Sequence, residues 1–294
     1  MYVPFTGLGA YNGFRGNRWL KNRIKIFKQF VVPSLQAQND QDFTVWASWR
    51  REERGNKYVD ELYNYLNERF TTVFTYGGVC FWDDKYSDKE ARERLIESLH
   101  TTAGQIVDYV GDEKTVLVTI QPSDDCYHQD AVSHFKRILK KDKWDAAGFT
   151  RGYISNYQTK EIKEYNPETN PPFFTIKFTK ETFLDPLKHL NHIGPYKSHE
   201  YVSKYLKYKE INERGFLVGT HGENISTVFN HPYAQKIADS SVLKEFGLNH
   251  VPALQISYSW RKQLMRTLPH GWQRKLRYIF GERFFHRLYK FLRN

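Results

Sequence analysis

Two adjacent carboxylates, Asp124 and Asp125, follow the apolar run at residues 116–120 and the breaker Pro122. Paired carboxylates at the end of a buried strand suit a hard divalent cation, Mg2+ or Mn2+. Such ions take oxygen ligands and are often held by one or two carboxylates together with substrate phosphates. The same residues would serve equally as a capped turn, because Asp favours turns and helix starts. His221 stands in VGTHGENIST, flanked by Gly219 and Gly222. Glycines let backbone approach a ligand and imidazole can ligate a metal, so His221 is a candidate third ligand; a loop hydrogen bond is the alternative. His199 and Glu200, in YKSHEYV, offer a general base, although Glu at a helix start is also favoured by the helix dipole. Arg15 and Arg18 follow Gly7, Gly9 and Gly13 and could hold a phosphate, or simply line a solvated helix face. Those glycines form neither a Walker loop, which needs Gly-Lys-Ser/Thr, nor a G-x-G-x-x-G fingerprint, whose spacing they miss by one residue.

The elements that must position these residues read as alternating strands and helices. Strands are expected at 2–6, 43–47, 71–76 and 116–120, where β-branched and aromatic residues cluster. Helices are expected at about 17–37, 59–70 and 88–109. In the first of these, Leu20, Ile24, Phe27 and Val31 recur at helical spacing and Pro33 should bend or split the helix. This order predicts an α/β fold with a mainly parallel sheet flanked by helices, whose ligands bind beyond the carboxyl ends of the strands. Asp124 and Asp125 stand at one such end. Beyond them the pattern changes. A helix is expected at 128–140, paired strands at 145–165, a strand at PFFTIKF and a helix at 185–192. A turn with Ser198 as N-cap then enters another helix, and a strand runs into the loop around His221.

Composition narrows the function classes. The chain has 294 residues, 40% hydrophobic and 16% aromatic, which is ample for a packed core. Two cysteines, Cys80 and Cys126, exclude a disulfide scaffold and a Cys-x-x-Cys zinc site. No apolar run of membrane-spanning length and no signal-like start is seen, so a cytoplasmic location is expected. Residues 261–294 hold ten Lys/Arg against one acid, a formal +9 of the chain's +11. A nearly neutral body offers no basic face for nucleic acid, and none is expected as a partner. The tail, 272–294 above all, alternates apolar positions such as Leu276, Phe280, Phe284 and Leu288 with Arg and Lys. That suits either packing on the body or peripheral attachment to an anionic membrane.

Taken together, the stretches VVPSLQAQNDQDFTVWASW, QPSDDCYH, SHEYV and FLVGTHGENIST resemble GT-A glycosyltransferases, and within them a rhamnosyltransferase family of bacteria and viruses. The resemblance covers roughly residues 1–232. It implies a GT-A-like, Rossmann-like domain at 1–260, with a nucleotide-sugar half at about 1–125, an acceptor half at about 126–260 and a basic amphipathic helical tail at 261–294. It further implies a divalent cation on Asp125, with Asp124 and His221, and a catalytic base at Glu200, with His199 and Glu223 as rivals. Asp124 could instead touch the nucleotide ribose, since the residues before it are Gln121, Pro122 and Ser123 rather than an acid. The expected reaction is metal-dependent, inverting transfer of a sugar, rhamnose being the family's, from a nucleotide sugar to a glycan or lipid-linked acceptor hydroxyl. A metal-dependent nucleotidyltransferase or phosphohydrolase, or a basic nucleic-acid-binding protein, is the alternative.

Overall fold

The computed structural model describes residues 1–6, 8–9, 17–80, 87–193, 199–221, 224 and 228–256. The chain divides into two compact units, residues 1–14 with 23–254 and residues 15–22 with 255–294. Of the second, only 17–22 and 255–256 are described. The expected basic tail therefore lies outside the described residues, as do Arg15, Ser198 and Glu223.

In chain order the strands and helices are β1 (Tyr2–Pro4), β2 (Leu8–Gly9), α1 (Asn17–Ile26), α2 (Val32–Gln36), β3 (Val45–Arg50), α3 (Lys57–Asn67), β4 (Thr72–Cys80) and α4 (Asp88–Val110). They continue as β5 (Thr115–Thr119), β6 (Cys126–Tyr127), α5 (Ala131–Leu139), β7 (Ala146–Asn156), β8 (Ile162–Tyr165), β9 (Phe174–Thr179), α6 (Lys180–Leu184), α7 (Pro186–Ile193), α8 (Val202–Tyr205), β10 (Tyr208–Thr220) and β11 (Ala234–Ile237).

Local chemistry sets several of these boundaries. Asn56 caps α3 by accepting from Tyr58 N at 3.1 Å. Ser87 and Glu90 form a capping box at the start of α4, each side chain accepting from the other's backbone N–H. Pro33 has no N–H to donate and its ring crowds the preceding turn. The chain answers with a π-helical turn at Phe27–Val31, in which Val32 N reaches back five residues to Phe27 O. The helix expected at 17–37 is thus split, with Pro33 in the first turn of α2. Gly247, at φ +71°, closes the 3-10 turn Ser240–Phe246 beside Pro33, and a Cβ there would crowd Pro33 O.

The sheet has a parallel half and a mixed half. Strands β2, β4, β3 and β1 lie side by side in that order, all parallel. One parallel bridge, Tyr2 to Ile120, and a bond from Gln121 N to Tyr2 O at 2.8 Å carry the order on to β5. Beyond β5 the pairing turns antiparallel through β9 to β7. β7 then pairs in parallel with β10 and antiparallel with β8. Helices α3 and α4 pack on β4, and α5 on β7, giving the mixed α/β architecture of a central sheet with helices on it. One buried cluster joins Ile106 and Val110 of α4 to Phe174, Ile176 and Phe178 of β9, Phe183 of α6, Val202 of α8 and Leu206 just after it. Among the described residues no helix is long and apolar enough to cross a membrane.

Candidate active site

Strand β5 ends at Thr119, and the chain turns through Gln121–Asp125 into the two-residue strand β6. Sequence periodicity gives no sign of so short a strand, yet it fixes the turn by pairing Tyr127 with Phe216 and Cys126 with Leu217 of β10. Gln121 is fully buried and braces the turn from inside, its Nε2 donating to Pro122 O at 2.9 Å and Asp125 O at 2.8 Å. A second brace comes from α2. Ser34 Oγ donates to Tyr127 O at 2.8 Å and accepts from Tyr127 N at 3.1 Å. Gln38 Nε2 donates to His128 O at 2.9 Å, and its Oε1 accepts from Val132 N. The VVPSLQAQ stretch therefore matters to the site because its polar side chains satisfy the backbone of the carboxylate turn. On the far side, Tyr157 stacks on Phe30 with ring centroids 3.7 Å apart and donates its hydroxyl to Asp124 O at 3.0 Å.

The two carboxylates point into different surroundings. Asp124 Oδ2 lies 2.6 Å from Arg23 Nη1, 3.0 Å from His221 Nε2 and 3.3 Å from Asn224 Nδ2. Burial alone would raise its pKa; the Arg23 guanidinium and the contact with His221 outweigh burial and hold it below the usual carboxylate range. Asp125 Oδ1 instead accepts from Gly219 N at 2.8 Å. Burial first, and then the neighbouring charge of Asp124, push the Asp125 pKa well above the ordinary value, against the pull of the Gly219 N–H and Arg23. The surroundings thus push the two neighbouring carboxyls in opposite directions.

Glycine at 219 is obligatory here. A Cβ on it would overlap the Asp124 carbonyl and the Tyr157 ring. Asn224 completes the loop, accepting from His221 N at 2.8 Å and donating to Gly219 O at 2.6 Å.

The structure thus brings together Asp124, Asp125 and His221, and it adds Arg23 and Asn224. Sequence reasoning did not assign Arg23 a role among several basic residues of one segment, and Asn224 lay unremarked within the quoted THGEN motif. A buried-charge argument could have found Arg23: its neighbours Leu20, Ile24 and Phe27 lie on the apolar stripe, so the helix rolls it inward. His199 is held by another contact, its Nδ1 2.6 Å from Asn170 O, in the 3-10 turn His199–Tyr201. Glu200 lies in that same turn, and its side chain is outside the described residues. Arg18 belongs to the second unit.

A divalent cation needs several oxygen or nitrogen lone pairs converging on one point. Here Asp124 Oδ2 already accepts from a guanidinium, an imidazole and an amide, and Asp125 Oδ1 is taken up by Gly219 N. Among the described residues no three His, Cys, Asp or Glu side chains group as a metal would require. The arrangement does not fit a divalent cation.

No protein-family model matches the chain, and no curated protein matches it. Among solved structures it is similar to S. aureus TarS 1-349, over 74% of this chain and 59% of that one, with 10% identity and a TM-score of 0.41. The same TarS fragment in complex with UDP-GlcNAc aligns over 75% and 58%, with 10% identity and a TM-score of 0.39. A longer TarS structure aligns over 92% of this chain and 46% of its own length, with 11% identity and a TM-score of 0.37. The chain spans less than two thirds of each of these TarS chains. At such scores the strand order, not the likeness, carries the description of the fold.

Proposed function

We propose that the chain is a glycosyltransferase that moves a sugar from a nucleotide-sugar donor to an acceptor hydroxyl. The observation that carries this reading is the place of the Asp124–Asp125 turn. It follows β5, beside β1, where the strand order reverses: from β1 the chain proceeds to β3 and β4, then crosses to β5 on the other side. In open α/β sheets the crevice at such a reversal, beyond the carboxyl ends of the strands, is where nucleotides bind. Sequence resemblance to GT-A glycosyltransferases at the same turn supports the reading. The donor half would then be about 1–125 and the acceptor half about 126–260.

In this reading Asp124 and His221 form the floor of the donor site and Asp125 stiffens it. Glu200 takes the proton of the acceptor hydroxyl, with His199 as its rival. The oxygen attacks the anomeric carbon from the face opposite the departing nucleoside diphosphate, which inverts that centre. Activated rhamnose is the first donor to try, and a glycan or lipid-linked hydroxyl the first acceptor.

Thermal unfolding in a panel of nucleotide sugars tests the donor class, because a ligand that binds only the native state raises the midpoint. One nucleotide sugar should raise it well above the matching nucleoside monophosphate and release nucleoside diphosphate when an acceptor is added. Release of pyrophosphate, or indifference to every nucleotide sugar, removes the proposal. Glu200→Gln should lower turnover by about 10²–10⁴-fold with donor binding kept, the usual range for loss of a general base.

A further inference from the structure

We propose that Arg23 holds, at Asp124, the place a divalent cation would take, so that this site receives a nucleoside diphosphate without a divalent cation. The inference rests on the donor-site reading above and specifies its electrostatics.

The physical problem is charge. A carboxylate such as Asp124 repels a diphosphate, and a bound dication is the common means of reversing that repulsion. Here the carboxylate is compensated within the chain. Arg23 Nη1 lies 2.6 Å from Asp124 Oδ2, and the two side chains are 6% and 16% exposed. The guanidinium brings a planar, hydrogen-bonding cation directly onto the carboxylate. His221 and Asn224 approach the same oxygen, leaving it crowded with donors. Asp125 turns toward Gly219 N and does not join Asp124 in a shared pair of ligands.

Entry of Mn2+ at Asp124 would set a dication against the buried guanidinium, and expelling Arg23 would forfeit its 2.6 Å ion pair with Asp124. Both routes disfavour the metal. Arg23 acts as a positioning residue: it fixes Asp124, which in turn holds His221 by Nε2.

Two measurements on the full chain decide the matter. The first is titration with Mn2+ alone, followed by the paramagnetic resonance of free Mn2+. The second is calorimetric binding of UDP, GDP, CDP and dTDP, each in EDTA and in Mn2+. Titration should show no stoichiometric site, and the best-bound diphosphate should have the same Kd in both buffers within about twofold. Arg23→Ala should weaken that Kd by more than about tenfold in EDTA, and Mn2+ should restore it by occupying the vacated place. A purely structural arginine would show no such rescue. Arg23→Lys, which keeps a charge, covers the case in which the alanine variant does not fold, and should bind in EDTA more tightly than any neutral substitution that folds. A stoichiometric Mn2+ site in the native chain that is lost in Asp124→Asn overturns the inference, as does a tenfold loss of nucleotide affinity in EDTA. If no diphosphate binds in either buffer the donor-site reading fails, while the Mn2+ titration still judges Arg23.

Discussion

Asp124 and Asp125 are neighbours in one turn, and the residues around each shift their pKa values in opposite directions. For Asp124 the folded pKa is lowered by Arg23 and His221 against burial, so its contribution to stability is present above the ordinary carboxylate value. It is lost as pH falls through the lowered one. For Asp125 burial and the Asp124 charge raise the folded pKa. Its contribution is then full below the ordinary value and is lost as pH rises through the raised one. The two asparagine variants should therefore differ in sign at neutral pH. Asp124→Asn leaves the Arg23 charge buried without its counterion and should cost about 3–5 kcal/mol. Asp125→Asn mimics the protonated acid, keeps an acceptor for Gly219 N and should be at least as stable as the native chain. Urea midpoints at pH 7 check both, and equal destabilisation by the two would refute the assignment.

At the scale of elements, the carboxylate turn depends on α2 as much as on β5. The π-helical turn absorbs Pro33 and sets the rotation at which Ser34 meets both backbone groups of Tyr127. Ser34→Ala leaves a buried N–H and C=O without that hydroxyl and should cost about 1–3 kcal/mol, read from denaturant unfolding. A cost near zero would mean that these groups find other acceptors and donors. Helix α7 carries the pH sensitivity most easily isolated. Burial lowers the pKa of His189 from 6.5 to about 4; the Phe183 carbonyl pulls it back up and the nearby His192 lowers it further. The ring lies on Phe178, with centroids 4.6 Å apart. A histidine whose folded pKa is depressed contributes stability above its unfolded value, and that contribution is lost as pH falls toward the folded one. Stability should decline between pH 6.5 and about 4 by no more than roughly 3 kcal/mol from this residue. His189→Phe should flatten that part of the profile, and an unchanged slope would move the effect to other groups.

For the whole molecule, the charge is concentrated at one end of the sequence: nine of the eleven net positive charges fall in residues 261–294. An apolar stripe between basic residues suits an anionic lipid surface, where each Lys or Arg contributes about 1 kcal/mol. Co-sedimentation with anionic vesicles at low salt is expected for the full chain and not for a chain ending at Pro269, with circular dichroism confirming that the shortened body folds. Indifference of the full chain to such vesicles would make the segment structural.

Strands β1, β3 and β4 were legible because each holds a compact apolar run, and each intervening helix shows its own period, whereas the two-residue β2 lies among the glycines and was not. Asp124, Asp125 and His221 were legible as a group because polar residues after buried strands, or between glycines, need a reason to be there. Local sequence could not show which oxygen meets which donor. The Arg23–Asp124 pair spans about a hundred positions of the chain, and the Gly219–Asp125 bond nearly as many. Nor could it show β6, whose two residues carry no periodicity and exist as a strand only because β10 lies beside them. Residue types and spacing determined that two carboxylates would stand at a strand end. The tertiary structure decided the direction in which each pKa is shifted, because ionisation depends on burial and on nearby charges brought there by packing.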